Sequence, residues 1–296
     1  MGRFAPSPTG PLHFGSLVAA VGSYLEARAQ GGDWLVRMED IDAPRNVPGA
    51  ADDILRTLEA FGFEWTGEVL WQSRRIEAYA AALEQLQAVG AAYPCACSRK
   101  EIADRAMRAA IDGGDVYPGT CRSGLPADRT PRAWRLRVDA QTVAFADRVQ
   151  GVQTQCLERD VGDFVLLRAD GLFAYQLAVV VDDAYQGVTD VVRGADLLDS
   201  TPRQIWLQQC LGVATPKYAH LPVATNASGE KWSKQTLAPA IRMADAGAQI
   251  WGALDFLGQA PPADLRQGDL PEVWAWARAH WQLGRVPRQR SLVGSG

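Results

Sequence analysis

Lysine is nearly absent from this chain of 296 residues: Lys100, Lys217, Lys231 and Lys234 are the whole complement, against 26 arginines. Two of the four stand in one short segment, a placement that suits a compact ammonium on a flexible stem reaching for a phosphate. No stretch approaches the roughly 18 uninterrupted apolar residues of a membrane helix, and no basic-then-apolar segment opens the chain. Neither membrane association nor export is expected, and the expected compartment is the cytoplasm. A disulfide scaffold is disfavoured as well. The five cysteines, Cys95, Cys97, Cys121, Cys156 and Cys210, are odd in number with two only one residue apart, which suits thiols or a metal better. Excess positive charge is also lacking: at a formal net charge of -4, any nucleic-acid contact must use a local patch. Internal repeats and low-complexity segments are not found.

What is present is 47% hydrophobic residues, ample for a core, at a length that suggests about two domains. Periodicity predicts a strand over residues 2–5 and a helix from about Gly15, with Leu17, Val18, Val21 and Leu25 on one face and a stop at Gly31-Gly32. A strand over 34–38 and helices over 50–61 and 76–89 follow. This βαβα alternation predicts a parallel sheet with ligands at the C-terminal ends of its strands. From about Tyr93 the rhythm breaks into a cysteine-bearing stretch with strands near 133–138 and 164–168, read as an insertion. The βα pattern returns over 172–181, 188–192 and a helix at 202–211, before 220–224 leads into a polar loop at 225–234. The remainder reads as mainly helical, with Cys156 and Cys210 as core residues and Arg285, Arg288 and Arg290 as a solvated basic tail. The resulting divisions are 1–92 and 171–225 as two halves of one sheet domain, 93–170 as the insertion, and 226–296 as the loop with a helical remnant.

Two segments carry chemistry. Arg3-Phe4-Ala5-Pro6-Ser7-Pro8-Thr9-Gly10-Pro11-Leu12-His13-Phe14-Gly15-Ser16 leads into the first helix. Its prolines and turn stiffen the approach, Gly15 lets a ligand reach backbone N–H groups, and His13 can add a donor to a phosphate. The same residues also fit a turn that merely caps a helix. Asn226-Ala227-Ser228-Gly229-Glu230-Lys231-Trp232-Ser233-Lys234-Gln235 sets two lysines three apart among small residues. It can be a solvated loop, or a lid that brings an ammonium to a phosphoryl centre.

Taken together, His13-Phe14-Gly15-Ser16 resembles the "HIGH" signature of class I aminoacyl-tRNA synthetases, and Lys231-Trp232-Ser233-Lys234-Gln235 resembles their "KMSKS" loop. The order is right, and Trp232 and Gln235 depart from the usual Met and Ser without removing a charge. Arg37-Met38-Glu39-Asp40-Ile41-Asp42, Val179-Val180-Val181-Asp182-Asp183 and the segment Gly187 to Gly194 narrow the resemblance to the glutamyl and glutaminyl branch, over residues 3 to about 240. It implies an α/β fold: a Rossmann-type parallel-sheet catalytic domain with a zinc-bearing insertion and a C-terminal helical segment. It further implies that glutamate is activated by ATP with Mg2+ to glutamyl-adenylate. Carried onto this chain, Arg3, Phe4, Ala5, Pro6, Ser7, Glu39, Tyr175 and Arg193 would bind glutamate. Glu39 would take its ammonium, and Arg3 and Arg193 its carboxylates. Without the resemblance, Arg3, Glu39 and Arg193 would read as ion pairs of the fold, and Asp40 and Asp42 either as a magnesium site or as partners of Arg45. His13, Gly15, Ser16 and Lys234 would bind ATP, and His13, Lys231 and Lys234 would be catalytic.

Cys95-Ala96-Cys97 and Tyr117-Pro118-Gly119-Thr120-Cys121 offer three thiols and a phenol, either core residues or a closed zinc site. The pattern resembles the insertion of the glutamyl-queuosine tRNA(Asp) synthetases, implying one structural zinc held by Cys95, Cys97, Tyr117 and Cys121. Only 61 residues follow Gln235, so no anticodon-binding domain is expected. The resemblance therefore implies ATP, L-glutamate and queuosine-bearing tRNA(Asp) as partners, with Arg99, Arg105, Arg108 and Arg132 as candidate phosphate contacts and a monomer as the expected state. Two other readings stay open: a truncated glutamyl-tRNA synthetase charging a tRNA 3′ end, and a catalytically silent RNA-binding paralogue.

Overall fold

In the computed structural model, residues 1–106, 108–111, 114–226, 228, 229, 231, 232 and 239–294 are described. The strand expected at the start is β1 (Gly2–Phe4), and the first helix, α1 (Phe14–Ala29), buries Leu17, Val18, Val21 and Leu25 as their spacing requires. Gly31 and Gly32 end it, and β2 (Trp34–Met38) follows. Next come α2 (Ala50–Ala60), β3 (Leu70–Trp71), α3 (Ile76–Ala88), β4 (Ala92–Cys95), α4 (Arg99–Ala103), β5 (Ala133–Leu136), β6 (Thr142–Asp147) and β7 (Gly151–Cys156). After α5 (Leu157–Asp160) and β8 (Phe164–Leu167), the alternation resumes with α6 (Tyr175–Tyr185), β9 (Asp190–Gly194), α7 (Thr201–Leu211) and β10 (Lys217–Leu221). The chain closes with β11 (Val223–Thr225), α8 (Ala246–Phe256), α9 (Leu270–His280) and β12 (Ser291–Val293).

Strands β1, β2 and β3 pair in parallel, as do β9 and β10. The two groups meet where the Met1 carbonyl accepts from the N–H groups of Thr189 (3.0 Å) and Asp190 (3.1 Å). The chain thus runs outward from β1 in one direction and from β9 in the other, which makes the C-terminal ends of these two strands the crevice of an open α/β sheet. The segment read as an insertion divides in two. Strands β4, β5 and β8 form an antiparallel sheet of their own, whereas the β6–β7 hairpin joins the main sheet through β10, with Tyr218 opposite Asp147.

Helix α1 is held from behind by the C-terminal helices. Tyr24, Trp34, Phe63 and Trp274 form an aromatic cluster with ring centroids 5.1 to 5.5 Å apart, and such pairs add to plain area burial. The Trp274 indole donates to the Phe61 carbonyl and that of Trp281 to Glu26, so both polar tips are satisfied inside the core. The C-terminal part is mainly helical, as expected, and β12 adds a short parallel pairing with β11. Arg290 is exposed, as expected of a solvated tail residue, and donates to both carboxylate oxygens of Asp199 at 2.9 and 3.2 Å. Cys156 and Cys210 are half-buried, not enclosed. Among the described residues no helix is long and apolar enough to cross a membrane.

Candidate active site

The loop from β1 to α1 is built from backbone bonds at proline carbonyls. Pro6 accepts from the Glu39 N–H and Pro8 from the Val47 N–H, both at 2.9 Å, which ties the loop to the C-terminal end of β2. Gly10 has φ of 137°, a conformation that a side chain would strain. His13 is the N-cap of α1, its Nδ1 accepting from the Ser16 N–H at 3.3 Å. With Nδ1 accepting, a neutral ring carries its proton on Nε2. A methyl group on Gly15 would lie 3.1 Å from His13 Cε1, so glycine is what permits the imidazole to fold over the helix start.

A cleft of about 560 Å³ opens at this point, lined by Arg3, Ser7, His13, Gly15, Ser16, Glu39, Tyr175, Arg193, Lys231 and Trp232, and also by Phe4, Ala5 and Pro6. Every glutamate- or ATP-site residue expected from the sequence is therefore gathered there, save Lys234, which lies outside the described residues. Lys231 pairs with Asp196 at 2.6 Å, and Trp232 sets its ring edge-on to Phe14 of α1 at 5.8 Å. Asp40 and Asp42 do not converge. Asp40 accepts from the backbone and hydroxyl of Ser73, and Asp42 pairs with Arg168 (3.2 Å) and Arg45 (3.9 Å), as partner residues do.

The two sides of the cleft differ in charge. On one side, buried Asp183 bridges Arg3 Nε at 3.2 Å and Arg37 at 2.7 Å, while Glu39 stands 3.5 Å from Arg37. Asp183 stays ionised: Arg3 and Arg37 outweigh the desolvation that opposes it and hold its carboxyl below the usual range. Glu39 does not have that support. Burial pushes its carboxyl up to about 7, Arg37 and Arg3 only partly offsetting it, and its Oε1 has no hydrogen-bond partner. On the other side, Arg193 is buried yet pairs with no carboxylate among the described residues. Its Nε donates to His220 Nε2 (3.0 Å), and its terminal nitrogens reach Thr201 Oγ1 (2.8 Å) and Tyr175 Oη (3.5 Å). A cleft lined by a guanidinium with no carboxylate directly on it and by a carboxylate held by one ion pair of 3.5 Å suits a ligand carrying both charges. The sequence motifs contain Asp183 and Arg37 but give them no task, and they give none to His220 and Asp147; nothing local marks residues whose partners lie 27 to 146 positions away.

At the end of β4, the Sγ atoms of Cys95, Cys97 and Cys121 lie within 4.8 Å of one another. Tyr117 Oη is 3.4 Å from Cys95 Sγ and 3.6 Å from Cys97 Sγ, and accepts from the Cys121 N–H at 3.0 Å. The four side chains named from the sequence thus meet at one point. Three thiols and a phenol in one nest, all buried but the half-buried Cys97, form a donor set that can hold a metal ion, and soft thiolates favour zinc-like ions. Arg135 lies against the nest, 3.9 Å over the Tyr117 ring and 3.4 Å from Cys95 Sγ.

Residues 1–250 match the family described as tRNA synthetases class I (E and Q), catalytic domain. The chain is 71% identical over 292 residues to the glutamyl-Q tRNA(Asp) synthetase of Dechloromonas aromatica, covering 99% of this chain and 97% of that one. To the protein of that name from Chromobacterium violaceum it is 66% identical, covering 97% and 95%. Among solved structures, a glutamate tRNA ligase from Elizabethkingia meningosepticum, crystallised in complex with its amino acid, superposes with a TM-score of 0.81 at 25% identity. That match covers 99% of this chain and 66% of that structure's chain.

Proposed function

This chain belongs to the class I tRNA synthetases of the E and Q group, and we propose that it is the ligase that activates L-glutamate with ATP and transfers it to the queuosine base in the anticodon loop of tRNA(Asp). The observation that carries the glutamate assignment is the opposed pair lining the cleft: buried Arg193 with no carboxylate directly against it, and buried Glu39, whose Oε1 is held by an ion pair of 3.5 Å with Arg37 and has no hydrogen bond. An amino acid with a second carboxylate satisfies both at once. The assignment of queuosine and tRNA(Asp) rests on relatives that share more than half of their residues over nearly their whole length.

In this reading Glu39 accepts from the substrate ammonium, Arg3 and Arg193 donate to its carboxylates, Tyr175 and Ser7 add hydroxyl contacts, and Phe4, Ala5 and Pro6 supply the wall. His13 and the first turn of α1, at Gly15 and Ser16, face the ATP phosphates with N–H groups. The glutamate α-carboxylate attacks the α-phosphorus, pyrophosphate leaves, and glutamyl-adenylate remains, with no covalent bond to the enzyme. His13, Lys231 and Lys234 stabilise the negative charge that builds on the phosphoryl oxygens. Magnesium bound with ATP supplies further charge neutralisation. The acceptor is a hydroxyl of the modified base, and exposed Arg99, Arg105, Arg108 and Arg132 are the phosphate contacts we assign to the tRNA loop. A zinc ion on Cys95, Cys97, Tyr117 and Cys121 would serve structure, since the four donors fill a tetrahedral site. The compartment we assign is the cytoplasm, where ATP and tRNA meet.

Transfer of labelled glutamate to tRNA(Asp), with and without queuosine, tests the reading. Label that requires queuosine and stays off the terminal adenosine is the expected result. Label on the terminal adenosine, or label independent of queuosine, overturns it.

A further inference from the structure

Arg193 differs from the other buried arginines of the cleft in how its charge is balanced. Arg3 and Arg37 share the carboxylate of Asp183 directly. Arg193 instead donates through Nε to an imidazole, His220 Nε2, at 3.0 Å. The other ring nitrogen, His220 Nδ1, lies 2.6 Å from Asp147 Oδ2, and both His220 and Asp147 have fully buried side chains. Strand register makes this line-up: His220 is opposite Arg193 across β10 and β9, and β10 then meets β6 at its last residue, Asp147.

The hydrogen-bond roles follow without freedom. A guanidinium can only donate, so His220 Nε2 must be the bare nitrogen and Nδ1 must carry the proton to Asp147. Asp147 is fixed in turn, its Oδ1 accepting from the N–H groups of Val149 (3.0 Å), Gln150 (2.8 Å) and His220 (3.1 Å). Burial, with the Arg193 charge adding to it, pushes His220 down to about 4, so the ring stays neutral. The negative charge of Asp147 therefore stands one imidazole away from Arg193. It fixes the orientation of the guanidinium without occupying it, and leaves the edge toward Tyr175 and the cleft for a ligand carboxylate.

We propose that Asp147 and His220 are a positioning dyad for Arg193, contributed by the β6–β7 hairpin and β10, that holds the guanidinium for the glutamate carboxylate. The dyad rests on the glutamate reading of the cleft, and it predicts that glutamate recognition depends on a residue of segment 93–170 that touches no substrate.

The test compares His220→Leu, His220→Gln, Asp147→Asn and Arg193→Ala by glutamate-dependent acylation of queuosine-bearing tRNA(Asp), with separate KM values for glutamate and ATP. The glutamine amide can accept from Arg193 and donate to Asp147, so His220→Gln keeps the roles, whereas leucine keeps only the bulk. Asp147→Asn can donate to Nδ1, which moves the ring proton to face Arg193, as wrong-tautomer substitutions do elsewhere. Expected are glutamate KM values raised about tenfold or more in His220→Leu and Asp147→Asn, with ATP KM within about twofold and His220→Gln restoring most of the loss. Equal KM losses in His220→Leu and His220→Gln, or a loss shared by ATP, overturn the dyad by reducing it to packing. If Arg193→Ala raises the glutamate KM and His220→Leu does not, the dyad alone fails. If neither changes it, the glutamate reading fails with it.

Discussion

Replacing Glu39 with glutamine separates what this residue costs the fold from what it gives the substrate. Its carboxyl is raised from 4.5 to about 7, chiefly by burial. In the unfolded chain the group loses its proton near 4.5, whereas the folded protein keeps it until about 7. Folding is therefore unpenalised below pH 4.5, stability falls as pH rises from there to 7, and the loss is complete above 7. A shift of this size corresponds to about 3 kcal/mol. Glu39→Gln removes the titration, and Arg37 keeps its bond to Asp183 at 2.7 Å. At pH 8 the variant should be more stable than the parent by up to about 3 kcal/mol, and the difference should vanish near pH 4.5. Catalysis moves the other way. Exchanging a charged acceptor for an amide opposite the substrate ammonium costs about 1.5–3 kcal/mol, roughly a tenfold to hundredfold rise in glutamate KM. In the parent, glutamate binding takes up the deprotonated form, so affinity should fall about tenfold per pH unit below 7. Urea melts at pH 4.5, 6 and 8, paired with titration calorimetry of glutamate, measure all three. A variant that is less stable at pH 8, or that binds glutamate with unchanged affinity and pH dependence, refutes the reasoning.

Arg193→Ala should raise glutamate KM far more than the dissociation constant for ATP, because in the proposed reading it holds a glutamate carboxylate beside Tyr175; equal loss of both in steady-state kinetics contradicts its role. Cys97→Ser and Cys121→Ser should each lower bound zinc, read by mass spectrometry under native conditions, since each removes a thiolate donor. Gly162→Ala should also lower it without touching a donor. Gly162 has φ of 74°, and a methyl group there would lie 2.7 Å from the Tyr117 nitrogen, so Tyr117 must shift at a cost of about 1–3 kcal/mol. Normal zinc content and melting temperature in that variant would show the turn to be slack.

Much of the β1–α1–β2 half was legible because its signals are local. Trp34–Met38 is an uninterrupted strand between Gly31-Gly32 and polar residues, and the apolar spacing of α1 survives intact in the structure. The residues that line the cleft were legible through four separate motifs, each compact in sequence, and the Cys-x-Cys spacing anticipated a nest that folding completes with Tyr117 and Cys121. What stayed hidden depends on pairing at a distance. Asp147 becomes meaningful only once β6 lies beside β10, and β12 is a three-residue strand whose partner is 68 positions earlier, Val223 opposite Ser291. Cys156 looked apolar by composition, but it ends a hairpin strand with alternating exposure and is only half-buried.

The balancing of charge around the cleft bears on how substrate arrives. Arg3 and Arg37 are matched by Asp183 and Glu39 at direct contact, Arg193 by Asp147 through the intervening imidazole of His220, and Lys231 by Asp196. Opposed charges set that close, mostly buried, project little potential beyond the roughly 10 Å over which salt screens at 0.1 M. Glutamate is then found by unassisted diffusion and kept by fit, so its capture should be nearly indifferent to ionic strength. The polyanionic tRNA, drawn to exposed arginines, should feel every added millimolar of salt.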